Sequence, residues 1–314
     1  MKNNSFIANI RKYGIFVVLV AICILFACLS PVFLSANNMI KIMRQVSMIG
    51  IASIGAMFVI LLGGIDLSQG AMLSFTNIVC AYFMVTMKMN QWLAIFLCIL
   101  IATAIGYING ILVTVLKIPA LIATLGTQYV FFGFAYIICR GQTIYGFPST
   151  FQVIGQGYVG VIPVPVILMV IFMIIGAFIL NKTYLGRHFY AVGGNAEAAK
   201  LSGIKVNRVR RIAFTLCGFF TGIASIITLS RVNSGQANSG DGFEFDCISA
   251  IVLGGVSVSG GAGRLYNVIA GVLIIGILNN GLVLIGMSNY YQKVIKGVIL
   301  VAAVGFDCLQ RATE

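Results

Sequence analysis

Four stretches of this chain, Tyr13–Leu29, Trp92–Leu116, Val161–Leu180 and Leu265–Ile285, each run for about 18 residues or more with at most one charge, the length a helix needs to cross a bilayer core. A backbone in hydrocarbon must bond to itself, and these runs lack the alternation of barrel strands, so the spans are helices. Composition agrees. Of the 314 residues, 60% are hydrophobic and 9% charged, where a soluble domain carries about 25% charged residues. The expected fold class is all-α, a polytopic transmembrane helical bundle of about ten spans, at 13–31, 46–63, 66–87, 91–116, 119–138, 162–180, 212–231, 246–258, 265–285 and 290–307. Residues 1–314 read as one transmembrane domain, with 182–211 a cytoplasmic loop inside it.

A net charge of +13 would suggest nucleic acid in a soluble protein. Here the basic residues lie between apolar runs and follow the excess of Lys and Arg in cytoplasmic loops, so the charge reports orientation and no nucleic-acid partner is expected. Lys182, Arg187, Lys200, Lys205, Arg208, Arg210 and Arg211 crowd one loop with a single acid, Glu197. That loop and both termini are expected in the cytoplasm, with Lys117, Arg264 and Arg311 on the same side. Lys41, Arg44, Lys88, Arg140, Lys293 and Lys296 fall on the other. Lys2, Arg11 and Lys12 before an apolar run imitate a secretory signal, but without small residues at a cleavage site the segment reads as an uncleaved first helix.

Several chemistries are missing. No segment has the phosphate-binding pattern of Gly, four residues, then Gly-Lys and Ser or Thr, so the chain is not its own ATPase. The one histidine, His188, has no metal-site or triad arrangement around it and reads as a surface residue, so neither a catalytic nor a metal site is expected. The eight cysteines, Cys23, Cys28, Cys80, Cys98, Cys139, Cys217, Cys247 and Cys308, show no paired spacing and read as small core residues. Scarce intramembrane acids argue against a secondary carrier, which remains the competing class.

Two segments are too polar and glycine-rich for ordinary spanning helix, Gly63-Gly64-Ile65-Asp66-Leu67-Ser68-Gln69-Gly70 and Gly254-Gly255-Val256-Ser257-Val258-Ser259-Gly260-Gly261. Ile60-Leu61-Leu62 and Ile251-Val252-Leu253 precede them, so a weak internal repeat is the economical reading. Such a pair marks either broken helices whose freed backbone lines a polar cavity, or glycines that let helices pack closely. Asp66 is the only acid in the first 196 residues, and an uncompensated charge inside a membrane costs about 2.5 to 3.5 kcal/mol on insertion scales. With Ser68 it is the candidate for an interior lock or gate, the alternative being a helix cap near a membrane surface. Asn279 and Asn280, inside an apolar helix, are further pathway candidates because a buried amide needs a partner. Asp241, Glu244 and Asp246 gather in a polar cluster expected on the external surface, either as a docking site for a delivery protein or as a solvated loop.

Within the basic loop, Asn195 can cap a short helix through Ala196-Glu197-Ala198-Ala199-Lys200-Leu201-Ser202, with Glu197 in its positive first turn and Gly203 as its stop. Ala198, Ala199 and Leu201 would offer an apolar surface to a partner, or the helix would lie on anionic lipid.

These features together resemble one family, the permease subunits of bacterial ATP-binding-cassette importers for monosaccharides of the ribose, xylose, arabinose and galactose group. The similarity covers nearly the whole chain. It is carried by Gly63-Gly64-Ile65-Asp66-Leu67-Ser68, by Ile118 to Gly126, by Leu185-Gly186-Arg187 with Ala191 to Ile204, and by Gly242 to Gly255. Departures are Gln69, Cys247 and the stretch 263–268. The resemblance implies a homodimer in the inner membrane, cytoplasmic ATPase subunits that carry ATP and Mg, and an external sugar-binding protein; no cofactor is expected on this chain. It makes Gly194, Asn195, Glu197, Ala198, Leu201, Ser202 and Gly203 the expected ATPase-coupling residues.

Overall fold

In the computed structural model the backbone is described for residues 2–312 and the side chains for 14–305; the side chains of Lys2, Arg11, Lys12, Cys308 and Arg311 lie outside that range. The helices in order are α1 (Lys2–Leu29), α2 (Ala36–Ile60), α3 (Gln69–Ala81), α4 (Gln91–Thr114), α5 (Ala120–Cys139), α6 (Ser149–Gln156), α7 (Val164–Lys182), α8 (Tyr184–Gly194), α9 (Ala196–Leu201), α10 (Val206–Val232), α11 (Phe243–Leu253), α12 (Leu265–Leu284) and α13 (Asn289–Ala312). A π-helical turn, Tyr82–Thr86, extends α3, and a hairpin of β1 (Tyr158–Val159) and β2 (Ile162–Pro163) precedes α7.

Among the described residues, six helices are long and apolar enough to cross a membrane: α2, α4, α5, α7, α10 and α12. The structure does not support all ten expected spans. The expected span 246–258 is α11, whose 11 residues reach only about 16 Å at 1.5 Å per residue. The expected span 66–87 begins with a loop and becomes helix only at Gln69. Around 290–307 stands α13, whose two faces differ strongly in polarity, with Lys293 and Lys296 among apolar residues. Helix α6, strand β1 and α8 are ordered elements that the sequence reading left as loop.

Helices α2, α10 and α12 form the buried centre, while α4, α5 and α7 turn most of their apolar side chains outward. Small residues bring α4 and α10 together. Ala102, Gly106 and Gly110 on α4 face Gly218, Gly222 and Arg211 on α10, so closely that a Cβ on Gly106 would strike the Phe214 carbonyl. Stripes of small residues four apart let two backbones approach where no hydrophobic effect draws them together. Five of the expected core cysteines, Cys80, Cys98, Cys139, Cys217 and Cys247, are buried, Cys23 is half-buried and Cys28 is exposed.

Two ends of the bundle follow from contacts. The C-terminus of α2, the segment before α12 and the basic loop meet at one end, where Gly261 N–H donates to the Leu61 carbonyl at 2.9 Å. At the other end Asn38 at the start of α2 exchanges two 2.9 Å hydrogen bonds with Asn280 near the end of α12. Arg44 there donates to the Gln156 carbonyl at 2.6 Å and lies over the Tyr158 ring. Lys117 and Arg264 sit at the basic-loop end, in crevices shared with Arg210 and Tyr190 respectively.

Candidate functional site

The centre of the bundle holds a junction of two half-helices. After α2 ends, the chain turns at Gly63 (φ +70°) and climbs back through Asp66, so that α3 begins level with the middles of its neighbours. Gln69, its first residue, donates to Thr221 Oγ1 in mid-α10 at 3.0 Å and to the Ala52 carbonyl of α2 at 3.3 Å. The N-terminus of α11 arrives at the same place. Gly240 N–H donates to Ser74 Oγ at 2.8 Å, and Glu244 Oε1 accepts from Gln128 Nε2, midway along α5, at 2.9 Å. Gly70 and Gly240 touch backbone to backbone, and the Glu244 carboxylate fills the space where Gly70 has no side chain. Two positive helix ends are thus aimed at one buried carboxylate, 2% exposed, an arrangement that offsets the cost of holding it in an apolar body.

Asp66 lies just before α3 and is 3% exposed. Its Oδ1 accepts from Ser68 N at 2.9 Å and Ser68 Oγ at 2.6 Å, and Ser68 Oγ accepts from Asn109 Nδ2 of α4 at 2.8 Å. Asp66 is therefore interior, and it also caps the turn into α3. Leu67 N–H donates to Thr124 Oγ1 at 3.1 Å, which ties the same turn to α5. Asp66 Oδ2, Gln69 Oε1, Asn109 Oδ1 and Glu244 Oε2 are buried with no hydrogen-bond partner among the described residues.

The other candidates are dispersed. Asn279 Nδ2 donates to Asp246 Oδ2 at 3.0 Å, whereas Asn280 faces the other way toward Asn38, so neither joins Asp66 and Ser68. The expected acidic surface also needs correction. Only Asp241 is exposed, in a 2.7 Å ion pair with Lys293. Glu244 and Asp246 fall on the first turn of α11 and are buried, Asp246 against Lys296 of α13 at 2.9 Å. They cannot present an external docking face. Beyond them, α13 and the segment before α11 enclose a groove of about 950 Å³ that opens between Asn238, Asp241, Phe245, Tyr290, Gln292 and Lys293. Gln69, Gln128, Asn109 and Lys296 were visible in the sequence as polar residues in or beside apolar runs, but nothing there joined them.

At the basic-loop end α9 forms with the expected cap. Asn195 Oδ1 accepts from Ala198 N at 2.9 Å, Glu197 occupies the first turn, and Gly203 (φ +85°) ends the helix by donating to the Lys200 carbonyl at 3.0 Å. Ser202 Oγ donates to the Ala198 carbonyl at 3.0 Å. The exposed apolar surface is smaller than expected, because Ala199 turns inward and leaves Ala198 and Leu201 outside. Leu201, 90% exposed, stands out on so short a helix. Gly194 and Asn195 are exposed beside it, and His188 is half-buried with its ring edge on Tyr184. Burial pushes the Tyr190 hydroxyl above its ordinary pKa, so it stays protonated and donates to the Gly263 carbonyl at 2.8 Å.

A family model described as branched-chain amino acid transport system / permease component matches residues 38–304. The chain belongs to that permease family. The ribose import permease of Bacillus subtilis (strain 168) is 43% identical to it over 308 residues, which cover 98% of this permease and 95% of that protein. The ribose import permease of Escherichia coli (strain K12) is 38% identical over 296 residues, 92% of each chain. The D-allose transport system permease of the same strain is 38% identical over 300 residues, 95% of this permease and 92% of its own length. No solved structure matches. The family read from the sequence motifs is the family found, and a permease component is a transport subunit, not an enzyme. With six apolar helices the permease is a multi-pass membrane protein.

Proposed function

We propose that this permease carries a ribose-like monosaccharide across the inner membrane as one subunit of an ATP-binding-cassette importer. The observation that carries the reading is full-length similarity, 43% identity over 98% of the chain, to a ribose import permease. The half-helix junction supports it, since broken helices meeting at mid-depth are where transporters place gates and binding sites. In this reading two copies pair in the membrane with lipid against their outward apolar faces, and both termini and the basic loop lie in the cytoplasm. Separate subunits hydrolyse ATP with Mg and seat α9, Leu201 foremost, in a cleft. An external binding protein delivers sugar at the opposite end, where the groove beside α13 opens. Alternating access then exchanges partners at the junction of Asp66, Gln69 and Glu244.

The test is sugar uptake into proteoliposomes holding the permease, with and without an ATPase subunit, an external binding protein and ATP. Uptake that needs all three is the expected result, and uptake by the permease alone on an ion gradient would make it a secondary carrier. Glu197→Lys places a positive charge at the start of α9, and Gly203→Pro demands a φ near −65° where the chain has +85°. Both are expected to leave insertion intact and reduce ATP-driven uptake by about tenfold or more, the size of an ordinary intersite coupling. Normal uptake in both would remove α9 from the coupling route.

A further inference from the structure

Three glycine-bearing segments, distant in sequence, close on one point at the basic-loop end. Leu61–Gly64 follows α2, Gly193 lies in the last turn of α8, and Ser259–Gly261 precedes α12. Gly261 N–H donates to the Leu61 carbonyl at 2.9 Å, with Gly260 and Gly261 both at positive φ, +91° and +74°. Gly193 is pressed against this pair so closely that a Cβ on it would strike the Leu61 carbonyl and stand 2.6 Å from Gly261 N. Two side chains of α8 brace the contact: Tyr190 through its bond to the Gly263 carbonyl, and Phe189 stacked on Phe58 of α2 with ring centroids 5.3 Å apart.

Each segment leads somewhere different. Leu61–Gly64 runs through Asp66 into α3, Ser259–Gly261 links α11 to α12, and Gly193 passes through Gly194 and Asn195 straight into α9. Side chains at an interface can absorb a displacement by changing rotamer, but backbone against backbone has no such slack, and close-packed contacts transmit a shift instead of dissipating it. We propose that this contact is the joint through which movement of α9 reaches both half-helices, with Gly193 and Tyr190 as positioning residues of the transport cycle. The proposal rests on the reading of α9 as the element that meets the ATPase.

Gly193 has an ordinary φ, so alanine there is conformationally free and acts only by wedging the joint apart. Tyr190→Phe removes one hydrogen bond and keeps the ring. In proteoliposomes with ATPase subunits, binding protein and ribose, uptake and ATP hydrolysis are measured together and the amount carried per ATP is compared. Gly193→Ala is expected to insert, bind the ATPase and hydrolyse ATP, yet carry about tenfold less per ATP, with Tyr190→Phe losing about threefold. Gly133→Ala, on an open face of α5, keeps the wild-type ratio. A merely structural contact would lower the yield of assembled complex and leave the ratio unchanged. A wild-type ratio in both variants overturns the joint, and if Gly193→Ala does not insert, a wild-type ratio in Tyr190→Phe overturns it alone. Wild-type uptake without any ATPase would instead overturn the importer reading.

Discussion

Gly70→Ala is expected to destabilise the permease by about 3 kcal/mol, in the range of core overpacking, and to abolish uptake. Local propensity argues the other way, because alanine within a helix is worth about 0.5–1 kcal/mol over glycine, an upper bound for a first turn. The new Cβ, however, would land on the Glu244 carboxylate and the Gly240 carbonyl. A carboxylate on a flexible stem can swing aside; the Gly240 carbonyl belongs to the backbone whose N–H is fixed on Ser74. To relieve the clash the two half-helix ends must separate, losing that bond and exposing Glu244 to unfavourable apolar surroundings. Thermal unfolding in detergent, with uptake in parallel, distinguishes the outcomes. A variant as stable and active as the wild type would mean that α3 and α11 do not meet where the structure puts them.

The second large effect is expected at Lys296. Replacing it with methionine leaves Asp246 buried on α11 with Asn279 as its one remaining side-chain donor among the described residues; breaking one side of a fully buried ion pair costs about 3–5 kcal/mol, and with Lys296 25% exposed the loss is expected at the lower end of that range. Lys293→Met breaks the Lys293–Asp241 pair, whose side chains are 63% and 57% exposed, and should cost less than about 1 kcal/mol. The same chemical change five or so ångströms along one helix thus separates burial from charge. The double variant Lys296→Met with Asp246→Leu is expected to recover most of the loss, since it removes both charges together. Equal effects of the two lysine substitutions on unfolding temperature would show that α13 is not anchored through Asp246.

Much of this permease was legible locally. The apolar runs reported helices because a chain in hydrocarbon has no other way to satisfy its backbone, and six of them stand as span candidates. The α9 helix was readable because its cap, first-turn charge and stop lie within nine residues, Asn195 to Gly203, and its hydrogen bonds close within three or four. The glycine segments were recognised as breaks, but their roles differ. One precedes the half-helix α3 and the other follows the half-helix α11, and the positive-φ residue is the first glycine of one pair, Gly63, and the second of the other, Gly255.

The acidic cluster shows where sequence reading stops. Asp241, Glu244 and Asp246 are neighbours in the chain and looked like one surface. A helix turn between 243 and 246 sends Glu244 toward Gln128 and Asp246 toward Lys296, partners 116 and 50 residues away, while Asp241 stays in water. The apolar runs and local motifs by themselves determined a multi-spanning helical membrane protein with a capped helix in its basic loop, because those properties depend on bonds between near neighbours and on contact with hydrocarbon. Only the tertiary structure decided that two half-helix ends meet over Glu244 and that three glycine-bearing segments close at Gly193, because those sites are made by residues whose sole connection is the space they share.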